Sequence, residues 1–395
     1  MLYLEGKNLF QSVIMKDSKK QNTPGRVNLR KASIFGYIVS LLVLSNLVVQ
    51  TGCKSSKNAA SKNPQPLVIY PAPPEPTKIQ YLTKITSTLD LDKKQNFFSK
   101  FMVGEEKPKA MVKPYGLAIH KGKMYVCDQY GGGMEIIDLE KRDMEFFKPD
   151  GKGKLRVPLN CFVDDKGYLY IADGGRFEIV VFDEKGNFVK SFGEKDKFRP
   201  TDVYVKGDKV FVTNIANNRI SVFSNDSLNT LLYNIPNVEP GNPGFLCSPV
   251  NMTIQDDRVY ASDFGCSRVM IYGLDGTLID SVGSQGDRPG QFAKVKGIAV
   301  DKEYNLYAVD AAFENVQVFN KEGQLLIVFA GHFKGNGDLI IPAKIIIDYD
   351  NLKYFEKYVD PSFDLKYLIF VTSQYGPNLI NVYGRVEQKV NNSKQ

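Results

Sequence analysis

Asn160, Asp202 and Asn251 are the side chains of this 395-residue chain best suited to hold a hard cation. Each stands two positions after a proline, Pro158, Pro200 or Pro249, at the head of a run rich in β-branched and aromatic residues. Amide and carboxylate oxygens make up the shell that Ca²⁺ prefers. The same side chains also serve, more blandly, to hydrogen-bond backbone and water in a narrow channel. A second acidic set, Asp128, Asp173, Asp263 and Asp310, recurs with the strands themselves. That repetition points to turn formers whose carboxylates accept loop N–H groups rather than to a catalytic ring. His120 and His332 are the only histidines, too few for a three-histidine zinc site. The sequence has no Gly-x-Ser-x-Gly elbow, phosphate loop or Cys-x-x-Cys-His haem motif.

The elements that must position these residues are short strands. From Pro158, an inner strand from Cys161 to Asp164, a turn at Asp165-Lys166-Gly167, a second strand from Tyr168 to Ala172, a loop opening at Asp173 and a third strand from Ile179 to Phe182 follow in order, and a fourth runs from Phe188 to Phe192. Brief β-branched and aromatic runs broken by Gly, Asp and Asn predict antiparallel strands joined by tight turns. Related copies begin at Pro114, Pro200, Pro249, Lys296 and Pro342. The marker residues that follow the second strands, Asp128, Asp173, Asn214, Asp263, Asp310 and Ser373, are spaced by 45, 41, 49, 47 and 63 residues. Such a period is that of propeller blades. The last step is lengthened by an aromatic, charged insertion from Tyr349 to Leu365.

These copies resemble NHL repeats. The match is most specific at Gly283-Ser-Gln-Gly286-Asp-Arg-Pro-Gly290-Gln-Phe292, followed by Gly297 to Asp301 and by Val316-Gln-Val-Phe319; Asn217-Asn218-Arg219-Ile220 and Ser267-Arg268-Val269 supply the family's arginine before the third strand. The resemblance covers about residues 110 to 385 and implies an all-β fold, a six-bladed β-propeller of four-stranded antiparallel blades. Blade one departs from the pattern with Gly131-Gly132-Gly133, and blade six lacks the marker acid. The sixth copy ends after its third strand, whereas Ile79 to Thr83 reads as a strand without a blade. The N-terminal strand is therefore expected to close the ring beside Leu379 to Tyr383.

The loops entering the inner strands and those leaving the second strands should share one face. Tyr130, Arg176, Phe177, Arg219, Phe264, Arg268, Phe313 and Tyr375 lie in the variable loops after the second strands and are of types suited to binding surfaces. Cys247, just before Pro249, and Cys266, in the loop after the second strand of the same blade, should meet at that rim as a disulfide. Cys127 and Cys161 read as buried thiols.

The leader has its own logic. Arg26, Arg30 and Lys31 precede an apolar run from Ile34 to Val49 and then Thr51-Gly52-Cys53. This order is that of an export signal and resembles the lipobox of bacterial lipoproteins, although Gln50 stands where an aliphatic residue is usual; Met15 is an alternative start to Met1. The expected organisation is a signal over 1–53, a Pro/Ser/Lys tether over 54–76, a propeller over 77–388 and a polar tail over 389–395. Ten of the 51 Lys and Arg and two of the 44 Asp and Glu lie in residues 1–62, a net +8, so the remaining 41 basic and 42 acidic residues leave −1. A near-neutral propeller lacks the cationic face that nucleic acid requires.

The expected protein is thus an exported, lipid-anchored propeller of the bacterial cell envelope, joined to the membrane by its N-terminal lipid, that binds an envelope protein or glycan. The alternative is a channel-mouth, metal-dependent hydrolase or lyase using Asn160, Asp202 and Asn251, with Ca²⁺ as its cofactor. Against it, no Glu stands at the strand-start positions where the calcium ligands of gluconolactonase-like propellers would want one. Mass spectrometry of the mature N-terminus should find Cys53 acylated and residues 1–52 removed; an intact leader with an unmodified Cys53 would contradict the lipoprotein reading.

Overall fold

The computed structural model describes residues 67–91, 107–194, 197–332 and 334–389. The signal segment and Cys53 lie outside the described residues. Among the described residues no helix is long and apolar enough to cross a membrane.

Alternation and turn chemistry produce six antiparallel sheets. Blade one is Pro114–His120, Lys123–Asp128, Gly133–Asp138 and Asp143–Phe147, and blade two is Pro158–Val163, Leu169–Asp173, Glu178–Phe182 and Phe188–Phe192. Blade three is Pro200–Lys206, Lys209–Asn214, Arg219–Ser224 and Leu231–Ile235, and blade four is Pro249–Gln255, Arg258–Asp263, Arg268–Gly273 and Leu278–Val282. Val295–Val300, Leu306–Asp310, Asn315–Phe319 and Leu325–Phe329 form blade five. Each first strand touches the first strand of the next blade, and that of blade six, Pro342–Asp348, touches that of blade one. The six first strands therefore line a central channel, and the chain forms a six-bladed β-propeller. Between blades the second and third strands bury Val126, Ile171, Val212, Ala261, Val309 and Ile369, each large aliphatic side chain contributing about 1.5–3 kcal/mol.

Blade six joins the two ends of the described chain. Its first strand is followed by Phe363–Ser373 and Ile380–Gln388, and Ile79–Ile85 adds a fourth strand beside the latter, with Ile79 opposite Arg385 and Ile85 opposite Ile380. This is the closure expected from Ile79 to Thr83. A fifth strand, Ile69–Tyr70, extends the sheet further, pairing with Gln80 and Ile79. The tether placed at 54–76 thus gives up residues 67–76 to the propeller. The tyrosine in Tyr70-Pro71 is the reason: its ring lies 6.0 Å from that of Phe329, and its hydroxyl donates to the Gly337 carbonyl at 3.3 Å. Tethering explains a proline cluster but not an aromatic that finds a core.

The insertion between the first two strands of blade six reinforces the closure. Phe355 is buried against Phe370, their ring centroids 5.4 Å apart. Gln80 Nε2 donates to the Tyr358 carbonyl at 3.0 Å, and the Asp360 N–H donates back to Gln80 Oε1 at 3.1 Å. Tyr354 Oη reaches Glu140 Oε2 of blade one at 2.9 Å. One segment thus clamps the N-terminal strand and bridges the seam.

Deletion of residues 1–66 should leave the thermal midpoint unchanged. Deletion of residues 1–86 should lower it by on the order of 10 °C, because Ile79, Leu82 and Ile85 leave the core and a long edge is bared. Calorimetry of the two truncations would check this, and equal midpoints would show that the clasp is dispensable.

Candidate functional site

The buried acids at the ends of the second strands build the rim. Asp173 accepts the N–H groups of Arg156 (2.7 Å) and Val157 (2.9 Å) before its blade, and those of Gly175 (2.9 Å) and Arg176 (3.0 Å) after the strand. Asp310 does the same for Ala293 (2.7 Å), Ala312 (2.8 Å) and Phe313 (3.0 Å), and Asp128 for Val112 (2.7 Å), Lys113 (2.9 Å) and Tyr130 (2.8 Å). Asp263 holds Cys247 (2.9 Å) and Ser248 (2.8 Å). Where the acid is missing, Asn214 Oδ1 takes Arg199 N–H and Ser373 Oγ takes Ile340 N–H. These charged hydrogen bonds fix two loop sets on one face.

On that face Tyr130, Phe177 and Tyr375 are 71%, 53% and 49% exposed, while Phe264 and Phe313 are half-buried. Lys113 Nζ lies 5.3 Å from the Tyr375 ring centroid and Lys294 Nζ 4.7 Å from that of Phe264, within cation–π range. Phe177 holds φ at 61°, and its counterparts Asn218, Ser267 and Glu314 are at 52°, 52° and 56°. The turn before the third strand of blades two to five thus imposes a left-handed residue, at a cost of roughly 1–2 kcal/mol for a bulky side chain.

The three rim arginines are each bonded to groups of the protein. Their guanidiniums are bonded to their own blades or to the segments entering them: Arg176 to Glu178, Lys152 O and Lys154 O; Arg219 to Glu194; Arg268 to Phe245 O (2.8 Å) and Asp263 (3.3 Å). The aromatics, not these cations, are what the rim presents.

Cys247 and Cys266 are joined by a disulfide, their Cα atoms 5.7 Å apart. With Asp263 they form the one close grouping of His, Cys, Asp and Glu donor atoms among the described residues, but bonded sulfurs leave a single carboxylate as donor. Cys127 and Cys161 are buried thiols, and burial together with the neighbouring Cys161 pushes Cys127 up.

The third residues of the first strands form a ring at the channel: Gly116, Asn160, Asp202, Asn251, Gly297 and Lys344. Blades three and six face each other, and Lys344 Nζ crosses the channel to Asp202 Oδ2 at 2.6 Å, both groups buried. The N–H groups of Met252 and Val203 add bonds of 3.0 Å to the same carboxylate. Burial pushes the Asp202 carboxyl up while the ammonium of Lys344 pulls it back. Asn160 turns its amide nitrogen to Thr201 O at 2.7 Å. The glycines are obligatory, because a Cβ at Gly116 would lie 2.3 Å from Leu159 O and one at Gly297 2.8 Å from Lys344 Cα. Of the three side chains read as Ca²⁺ ligands, Asp202 is thus paired with an ammonium that a metal there would have to displace, whereas Asn160 Oδ1 and Asn251 Oδ1 are buried without a hydrogen-bond partner. Beyond the pair lies a cavity of about 260 Å³ lined largely by apolar residues such as Leu117, Phe162, Met252 and Ile345.

No protein-family model matches the chain. Among solved structures, a structural genomics protein of unknown function from Bacteroides thetaiotaomicron is similar with a TM-score of 0.55 at 15% identity, over 78% of this chain and 76% of that one. Virginiamycin B lyase from Staphylococcus aureus is similar with a TM-score of 0.48 at 14% identity (69% and 84% covered), and hydrazine synthase from Kuenenia stuttgartiensis with 0.47 at 13% (70% and 85%). At such identities the likeness to the Bacteroides protein establishes a shared propeller fold and nothing of its chemistry.

Asp202→Ala should destabilise the protein by about 3–5 kcal/mol, because it strands a buried ammonium. The double replacement Asp202→Leu with Lys344→Met should recover most of the loss. Urea unfolding would check both, and a silent Asp202→Ala would show that the pair does not form.

Proposed function

We propose that the protein is a binding module of the bacterial cell envelope, exported and anchored through a lipid on Cys53, that captures an envelope protein or glycan with the loop face of its propeller. The observation that carries this reading is the outward display of Tyr130 and Phe177 on loops pinned by the fully buried Asp128 and Asp173, and of Tyr375 on the loop that follows Ser373. Large side chains on preorganised backbone lose little entropy on binding, which makes them the common anchors of interfaces. The basic-apolar-small order before Cys53 supports export and anchoring. The charge near zero beyond the leader speaks against a nucleic-acid partner.

The test is capture of envelope protein or purified envelope glycan by the wild type and by a Tyr130→Ala, Phe177→Ala, Tyr375→Ala triple variant. At least tenfold weaker capture at an unchanged thermal midpoint is the expected result. Undiminished capture by the triple variant would overturn the rim assignment. Metal-dependent turnover of a lactone or ester by the purified propeller would replace the binding reading with the hydrolase one.

A further inference from the structure

The outer edge of the loop face differs in blade one. Two residues into each third strand, the chain forms a cross-strand pair with the fourth strand: Val180 with Ser191 in blade two, Ser221 with Asn234, Met270 with Ser281, and Gln317 with Val328 in blade five. In blade one that pair is Glu135 with Phe146. In blades two to five the polar side chains beside that position are bonded within the protein. The Arg176 guanidinium reaches Ser191 Oγ at 3.4 Å, and Arg219 meets Glu194, which also takes the Ser221 hydroxyl. Arg268 bonds Phe245 O, and the Gln317 amide joins Gly290 N–H and Gln291 O, each at 2.8 Å. Opposite the acid or amide closing the second strand, blade three has Arg219 and blade four Arg268, whereas blade one has Gly133.

Glu135 is 4% exposed, and its Oε2 has no hydrogen-bond partner. It lines a cavity of about 260 Å³ with Val112, Tyr130, Met144 and Phe146, and three of these, Val112, Tyr130 and Phe146, are exposed at the mouth. The glycine run that departs from the repeat builds one wall. A Cβ at Gly133 would lie 2.6 Å from Phe146 Cζ and 2.7 Å from Phe147 O, so glycine is what lets the Phe146 ring lie against the backbone. Lys109 Nζ, also at the cavity, donates to Met144 O at 2.7 Å and faces Asp143 at 3.5 Å.

We propose that this notch binds an alkylguanidinium, the chemistry of an arginine side chain presented by a partner. Its cation takes the place beside Glu135 that blades two to four fill with an arginine of their own, and its stem lies between Tyr130 and Phe146. A planar guanidinium both forks onto a carboxylate and stacks on aromatic faces. The site does not depend on the envelope reading, because its test needs no natural partner.

The charged groups facing Glu135 are Asp128 on the second strand and Lys109 from the segment before blade one. Burial and the nearby Asp128 push the Glu135 carboxyl up to about 8, so it is protonated in the free protein at neutral pH. A bound cation supplies the missing countercharge and releases that proton. Ionisation without a ligand works against folding: a raised carboxyl contributes stability below about pH 4.5 that is lost as pH rises through about 8.

Titration calorimetry of the whole mature protein with n-butylguanidinium is the test, with neutral n-butylurea as its isostere. Saturable binding of the cation, tightening about tenfold per pH unit up to pH 8, is expected. Glu135→Gln should weaken it at least tenfold while melting no lower than wild type at pH 8, and Phe146→Ser, which gives the site the residue that blade four carries there, should weaken it too. Absence of saturation, equal affinity for n-butylurea, or undiminished binding by Glu135→Gln would overturn the proposal.

Discussion

A carboxylate with no access to water must find its donors in the protein, and in this propeller it finds them in backbone that would otherwise be loose. Asp128, Asp173 and Asp310 each tie the loop entering a blade to the loop leaving its second strand. Each bond to a charged acceptor contributes about 1.5–3 kcal/mol. The loop face is consequently rigid although it is made of turns, and Phe177 can be held left-handed there with its ring outward. Rigidity of the loops, rather than of the strands, is what makes exposed aromatics useful.

The channel obeys a different constraint, that six inner strands must meet at the ring of their third residues without a clash. Facing members of the ring are complementary in size or charge: Gly116 with Asn251, Asn160 with Gly297, Asp202 with Lys344. A long lysine opposite a short aspartate spans the hole and neutralises it in one step. Such a buried pair is weak evidence for stability, since an apolar replacement can do as well. It does settle the local chemistry, because the one buried carboxylate of the ring is committed.

Strands, blade count and the closing N-terminal strand were legible in the sequence, since each rests on local pattern: alternation, turn residues and a period. The role of the marker acids was legible for the same reason, as repetition implies a shared task. The pairing of Asp202 with Lys344 was not, because 142 residues separate them and only the count of blades between them makes them face each other. The partners of the rim arginines were not legible, because they come from other segments: Glu194 for Arg219 and Phe245 O for Arg268. Ile69–Tyr70 was hidden inside a proline-rich stretch whose composition argued for a spacer, and only the position of Phe329 and Gly337 gives Tyr70 a place to bind.

Repetition also defines what counts as a departure. In a chain of six similar blades the shared residues report what every blade needs to fold, and the residues that break the pattern are free to report something else. Blade six breaks it by an insertion, and the insertion turns out to clamp a seam that the other blades do not have. Blade one breaks it by lacking the rim arginine that blades two to four carry, while holding the buried acid Asp128 and also Glu135. Asp128 keeps the loop-tying bonds that the acids of other blades make, whereas Glu135 Oε2 is buried without a hydrogen-bond partner, which works against folding. That acid beside an open apolar notch is what separates blade one from a merely degenerate repeat.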